Sequence, residues 1–316
     1  MTESVRAGAM STTGLPRAAI AAALPAAEEA AAAPAPSRPQ RLGDILTHAI
    51  LILGVGLFAL PLWIVLMGST HDAASIGRGE VPLLPGSHAL ENYLSAWSGG
   101  TSATIRVPVA VMMLNSIVMA TAIAVGKIAI SLLSAFAVVF FRFPGRMLAF
   151  WAIFITLMLP VEVRIFPTFK VVSDLAMMDS HVGLIVPLIA SATATLLFRQ
   201  FFLTIPDEFV EAAKIDGAGP MRFFRDVALP LSRTNMAALF VILFVYGWNQ
   251  YLWPLLVTTS GNVETIVVGI VKMIGSESNT EWNIVMATTV MALLPPVAVV
   301  LLMQRWFVKG LTDTEK

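Results

Sequence analysis

The sequence predicts an all-α integral membrane protein with six crossings, and three observations carry that prediction. Hydrophobic residues make up 57% of the 316-residue chain and charged residues only 13%, a composition foreign to soluble domains. The charge-poor runs reach the length of about 20 residues that a helix needs to cross a hydrocarbon core. Lysine and arginine collect in alternate connecting segments, which is the pattern that fixes orientation in a membrane. The formal net charge is zero, so no basic surface argues for a nucleic-acid partner. Without cysteine there are neither disulfides nor thiolate metal sites.

Residues 1–40 contain Ala, Pro, Ser and Thr with scattered charges and no aromatic residue, and are predicted to be a disordered cytoplasmic tail. Residues 18–27 after Arg17 imitate the apolar part of a signal peptide, but Pro25 interrupts them and Glu28-Glu29 closes them, so a cleaved signal is the weaker reading.

The first crossing is residues 49–67. Residues 69–106, rich in Gly, Pro and Ser with Tyr93 and Trp97 as interface anchors, form an outer loop. The second crossing occupies most of 111–141 and is interrupted only by Lys127. The third starts near Met147 and runs past Pro160, where the missing amide predicts a kink or an end. The fourth covers 182–198, the fifth 235–259 and the sixth 282–304, with a second outer loop over 260–281.

An even number of crossings leaves both termini on one side. Placing them in the cytoplasm puts Arg142, Arg146, Arg199, Lys214, Arg222, Arg225, Arg233, Arg305 and Lys309 inside. Only Arg78, Arg106, Arg164, Lys170 and Lys272 then fall at or near the outer surface.

The segment 203–233 is a polar island between apolar stretches. Asp207 is placed to cap a short helix on which Phe209, Ala212 and Ala213 recur at helical spacing. Gly217 suits a left-handed turn, and Pro220 suits the first position of a second helix whose stripe is Phe224, Val227, Ala228 and Leu231. Helix, turn, helix, with small residues where another protein's surface can approach, is what a membrane protein needs to receive force from a soluble partner.

Glu211-Ala212-Ala213, Gly217 and Leu229-Pro230, together with the order of crossings, resemble the signature loop of bacterial ABC importer permeases of the carbohydrate-uptake class. The runs 157–164, 198–202, 246–254 and 310–316 sharpen the likeness, which is strongest to permeases that import sn-glycerol-3-phosphate and covers roughly residues 41–316.

The resemblance implies a type I importer fold of six helices with a cytoplasmic coupling helix pair. It also implies a sister permease, two ATPase subunits and an extracytoplasmic substrate-binding protein. Glu211, Ala212, Ala213, Asp216, Gly217, Leu229 and Pro230 are then the ATPase-coupling residues. ATP and Mg belong to the partner ATPase, since this chain has no Walker-type phosphate loop, and it binds no cofactor itself. The tail 308–316 resembles an element that reaches the junction of the ATPase subunits; a frayed end is the plainer account.

Candidate pathway residues are Lys127, Arg164, Asn249 and Gln250. An ammonium at mid-membrane costs about 2.5 to 3.5 kcal/mol, so Lys127 must have a partner. Two readings stay open: a structural pairing with a carboxylate such as Glu162 or with a helix carbonyl, and a way-station for a phosphate ester. Glu162 and Arg164 are two apart and do not share a helical face, so they contact different neighbours, which leaves Arg164 as a phosphate contact or an interface residue. Asn249 and Gln250 have a bland reading as helix-packing glue and a functional one as pathway amides that do not repel an anion. Asn115, Ser116, Ser131 and Ser134 read as packing contacts. His48, His71, His88 and His181 have no metal-binding spacing.

Two rival classes account for less. A carrier driven by an ion gradient needs intramembrane carboxylates or paired broken helices, and a membrane scaffold leaves the 203–233 loop unexplained. Within the importer reading, a related sugar is the alternative cargo.

Overall fold

A computed structural model of the chain describes residues 38–99, 107–158, 161–274 and 280–312. All regular structure among them is helical. The tail expected over 1–40 lies outside the described residues except for 38–40, which open the first helix. By internal compactness the chain divides into Met1–Pro61 and Leu62–Lys316, a boundary inside a helix and not at a linker.

Helix α1, Arg38–Gly68, contains the crossing Ile45–Gly68. Two short helices follow in the segment after it, α2 (Ala73–Gly77) and α3 (Ala89–Ser98). Asp72 caps α2 by accepting the Ser75 hydroxyl and amide, and the hydroxyl bond, with the amide bond behind it, holds its carboxyl below the usual carboxylate range. Buried Asn92 is the hub here: its amide donates to the Ser69 and His71 carbonyls and its oxygen accepts from Asn283.

Helix α4, Val109–Phe140, is the post of the second unit. Half of its most apolar window is buried, against 28% for the last crossing, because α4 packs on several neighbours at once. Its near-uniform apolarity removes any preferred outward face. Gly126 lets it approach Ile189, where a Cβ would lie 2.7 Å from the Ile189 Cγ2. Asn115 donates to the carbonyls of Asn262 and Glu264 and pairs with His181, while Ser116 accepts the Ile266 amide. The serine and asparagine readings as packing contacts therefore hold for Asn115, Ser116 and Ser131, whose hydroxyl donates to the Ser191 carbonyl.

The third crossing comprises α5 (Arg146–Met158) and α6 (Val161–Asp174), which flank Pro160. The fourth is broken: α7 (His181–Ile185) and a 3-10 turn (Val186–Leu188) meet α8 (Ala192–Phe202) at 48°. Ser191 restarts the helix by accepting the Ala194 amide.

The intracrossing hairpin is α9 (Asp207–Ile215) followed by α10 (Pro220–Phe223), a π turn (Phe224–Ala228) and α11 (Leu229–Leu231). The chain then bends by 69° into α12, Arg233–Trp248.

The fifth crossing is not the continuous helix expected over 235–259. It stops at Trp248 and resumes as α13, Leu252–Val257. Pro254 explains the gap, because it has no amide for the Gln250 carbonyl and its ring crowds that carbonyl. The connection between the fifth and sixth crossings contains α14, Ile266–Ile274, and the last crossing is α15, Trp282–Thr312, with Pro295 and Pro296 inside it.

Candidate functional site

The hairpin 203–233 is built by local chemistry at each joint. Pro206 stands in the capping position in an extended conformation, and no side chain caps α9. The expected cap by Asp207 is therefore corrected: Asp207 and Glu208 lie in the first turn, where their charge favours the positive end of the helix dipole. Gly217 does take the left-handed turn, at φ +70°. Its amide donates to the Lys214 carbonyl and the Ala218 amide to the Ala213 carbonyl, the paired bonds of a Schellman stop. Pro220 opens α10 at its first turn. Pro230 cannot donate to the Asp226 carbonyl, and the Leu229 amide instead reaches back five residues to Phe224, which produces the π turn.

The two alanines of the motif do different things. Ala213 packs towards the bundle, whereas Glu211 and Ala212 are exposed. On the outward surface stand Phe209, 49% exposed, Ile215, 86% exposed, and Met221, 68% exposed. Phe209, Ala212 and Ile215 follow one another at three-residue spacing, so an apolar stripe faces away from the protein's own core. Ile215 and Met221 escaped the sequence reading, although that spacing was there to be read.

What holds the hairpin to the bundle is an aromatic knot the sequence did not announce. Phe136 and Phe140 at the C-terminal end of α4 meet Phe202 of α8 and Phe223 of α10, with ring centroids 5.2 to 6.3 Å apart. Phe224 packs on Phe136 at 4.9 Å. A cleft of about 140 Å³ lies between this knot and Val210, Ala213 and Lys214 of α9. Tilting α10 therefore moves the ends of α4 and α8 as well. On the exposed side Arg225 and Arg222 pair with Asp226, and the hydrogen bond from Arg225 holds the Asp226 carboxyl below the usual carboxylate range.

The second constellation lies at the break in the fifth crossing. Lys127 of α4 is buried, and its Nζ sits 3.8 Å from the centre of the Tyr246 ring on α12. Among the described residues no carboxylate pairs with it. The contact it makes is with an aromatic face, a cation–π contact; the expected pairing with Glu162 falls on a side chain outside the described residues. The geometry follows from helix direction, since a helical side chain points towards its own N-terminus and Lys127 reaches back to the level of Tyr246.

The structure brings two of the four candidate pathway residues, Lys127 and Gln250, into relation with this contact. Gln250 donates its side-chain amide to the Tyr246 carbonyl at 3.1 Å, and so bonds back to its own helix. Arg164 is exposed on α6. Asn249 ends α12 and is exposed, with no contact drawing it to Lys127. Tyr246 is the member missed from sequence, because nothing local marks it as the neighbour of a residue on α4.

Among the described residues no cluster of His, Asp or Glu is disposed to hold a metal ion. The four histidines are accordingly not gathered into a metal centre.

Residues 30–313 match the family model described as the binding-protein-dependent transport system inner membrane component. The sn-glycerol-3-phosphate transport system permease protein UgpE of Brucella melitensis is 58% identical over 276 residues, covering 87% of this chain and 98% of that one. Its namesake in Salmonella choleraesuis is 58% identical over 273 residues, covering 86% and 97%. A crystal structure of a bacterial ABC transporter that imports the acidic polysaccharide alginate contains a chain with the same fold, at a TM-score of 0.74 and 22% identity over 87% of this chain and 99% of that one. With a helical membrane bundle, an inward-anchored hairpin and relatives matched over nearly their whole length, the chain belongs to the inner-membrane permease components of binding-protein-dependent ABC importers.

Proposed function

We propose that this chain is the second permease of an importer for sn-glycerol-3-phosphate, and for related glycerophosphodiesters, in the bacterial inner membrane. The observation that carries the reading is the hairpin: an exposed apolar stripe, Phe209, Ala212 and Ile215, on an element whose other side is knotted into the ends of α4 and α8. Such an element is solvent-unfavourable alone and mechanically connected, which is what a docking site for a force-generating subunit requires.

In this reading residues 41–316 form the permease domain, both termini are cytoplasmic, and the hairpin 203–233 sits on one of two ATPase subunits. Glu211, Ala212, Asp216 and the apolar stripe meet the partner. Ala213, Gly217, Leu229 and Pro230 set the hairpin's shape. The ATPase subunits consume ATP and Mg, a sister permease completes the route, and an extracytoplasmic binding protein delivers cargo. Closure of the ATPase pair favours the outward-facing state and hydrolysis resets the inward-facing one, through the unequal affinity of nucleotide for the two states. The cargo follows from the relatives' names, and a route past Lys127, Arg164, Asn249 and Gln250 suits an anion.

Vesicles reconstituted with both permeases, the ATPase subunits and the binding protein, and loaded with MgATP, are expected to accumulate labelled sn-glycerol-3-phosphate and not maltose. Accumulation without trapped ATP, driven by an imposed proton or sodium gradient, would overturn the reading in favour of a secondary carrier.

A further inference from the structure

Lys127 is the one lysine or arginine that is buried among the described residues, and it lies midway along a crossing. A cation in that position ordinarily has a carboxylate beside it. Here the contact is the face of Tyr246. Tyr246 is itself 37% exposed, and the backbone breaks directly after it, at Asn249 to Tyr251. Broken backbone and exposed amides at membrane depth are tolerated where they line water or protein, not where they meet lipid. A buried cation, an aromatic lid over it and an unwound turn alongside have the composition of an anion seat.

The choice of an aromatic partner has a kinetic meaning. A carboxylate on Lys127 would have to be broken from a full ion pair by every passing anion. A ring holds the ammonium in place through its quadrupole, far more weakly than a phosphate dianion attracts it. The seat is therefore poised to exchange partners.

We infer that Lys127 and Tyr246 form the phosphate-recognition seat of the translocation route, with Tyr246 as a positioning residue that yields the ammonium to a phosphate ester and takes it back on release. This rests on the reading of Lys127 as a pathway residue. The Gln250 bond to the Tyr246 carbonyl keeps the ring's helix end in register at the break.

A double-mutant cycle in the reconstituted assembly tests it, with the uptake rate of sn-glycerol-3-phosphate measured at saturating loaded binding protein and each variant first shown to copurify with its partners. Tyr246→Phe keeps the ring and is expected to retain clearly more of the parental rate than Tyr246→Leu. Tyr246→Leu is expected to slow uptake by about three- to tenfold, the range a lost cation–π contact spans. In a Lys127→Met background Tyr246→Leu is expected to add nothing, because the group it positions is gone. Additive losses, or a Phe variant as slow as the Leu variant, would overturn the role of Tyr246 while leaving Lys127 in the route. Normal uptake by Lys127→Met would instead remove Lys127 from the route altogether. Rescue of Lys127→Met by Glu162→Gln would mark a structural ion pair and overturn the seat.

Discussion

Gly247 of α12 rests on the backbone of Ala120 in α4 so closely that a Cβ on Gly247 would lie 2.9 Å from the Ala120 Cα. The contact sits next to Tyr246, so it sets the separation of the two helices that bring Tyr246 and Lys127 together. Backbone atoms cannot move aside as a flexible side chain can. Gly247→Val is therefore expected to lower the stability of the assembly by about 1 to 3 kcal/mol through overpacking. A reduced midpoint in thermal unfolding of the solubilised complex, with loss of uptake, checks it, and an unchanged midpoint would show that the helices can part freely.

Gly217 faces open space but has φ +70°, so any substitution there is penalised by backbone strain and not by crowding. Gly217→Val is expected to strain the Schellman stop by about 1 to 2 kcal/mol and to weaken retention of the ATPase during purification. Ala213→Asp places a charge against the aromatic knot and is expected to abolish uptake while the protein still accumulates in the membrane. Full ATPase copurification and normal uptake in both variants would remove the hairpin from the coupling role.

Gln250→Glu replaces a donor with an acceptor facing the Tyr246 carbonyl. The new carboxylate loses that bond and adds a negative charge at the break after α12, which disfavours an anionic cargo on the proposed route. Uptake of sn-glycerol-3-phosphate is expected to fall several-fold, read as a rate at saturating binding protein. Parental rates would mean that Gln250 lies away from the route.

Asp179 ties the segment before α7 to the one after α13, accepting the Thr259 and Ser260 amides and the Thr259 hydroxyl. The Thr259 hydroxyl bond, first among these, holds its carboxyl down at about 2. Because the folded value lies below the ordinary one near 4, the tie is fully present above about pH 4 and is lost as pH falls through about 2. Hydrogen exchange at the Thr259 and Ser260 amides is expected to stay slow down to about pH 3 and to rise below it. Asp179→Asn should show fast exchange at every pH, and equal protection in that variant would show that the tie does not matter.

Asn115 donates to two carbonyls of the outer loop that precedes α14 and receives or gives a proton bond with His181. Asn115→Leu leaves those buried groups unpaired, so a loss of about 1 to 3 kcal/mol is expected. Protease sensitivity near residues 260–266 in the solubilised protein provides the readout, and an unchanged cleavage pattern would place the restraint elsewhere.

What was legible in advance was what neighbouring residues decide among themselves. Apolar runs gave the crossings, and Gly217, Pro220 and Pro230 punctuated the hairpin at the positions where φ above zero, a spare amide or a missing one is required. The break after Trp248 was implicit in Pro254, yet it escaped because the run around it is apolar enough to read as one helix. The cap at Asp207 failed for a similarly local reason, the preceding proline having taken the capping position.

Contacts between crossings belonged to the tertiary structure alone. Helix α4 is apolar nearly all round, and a helix without a polar face carries no record of its rotation about its own axis. The sequence therefore determined that Lys127 is a charge within the membrane, and only packing decided that it meets Tyr246. In the same way the sequence by itself determined a helical elbow between the fourth and fifth crossings. The fold decided that Ala213 faces inward, that Ala212 and Ile215 face out, and that five phenylalanines fasten the elbow to the bundle. Rules reaching four residues along the chain fix turns, caps and breaks, whereas the pairing of distant helices is chosen by close packing over their whole length.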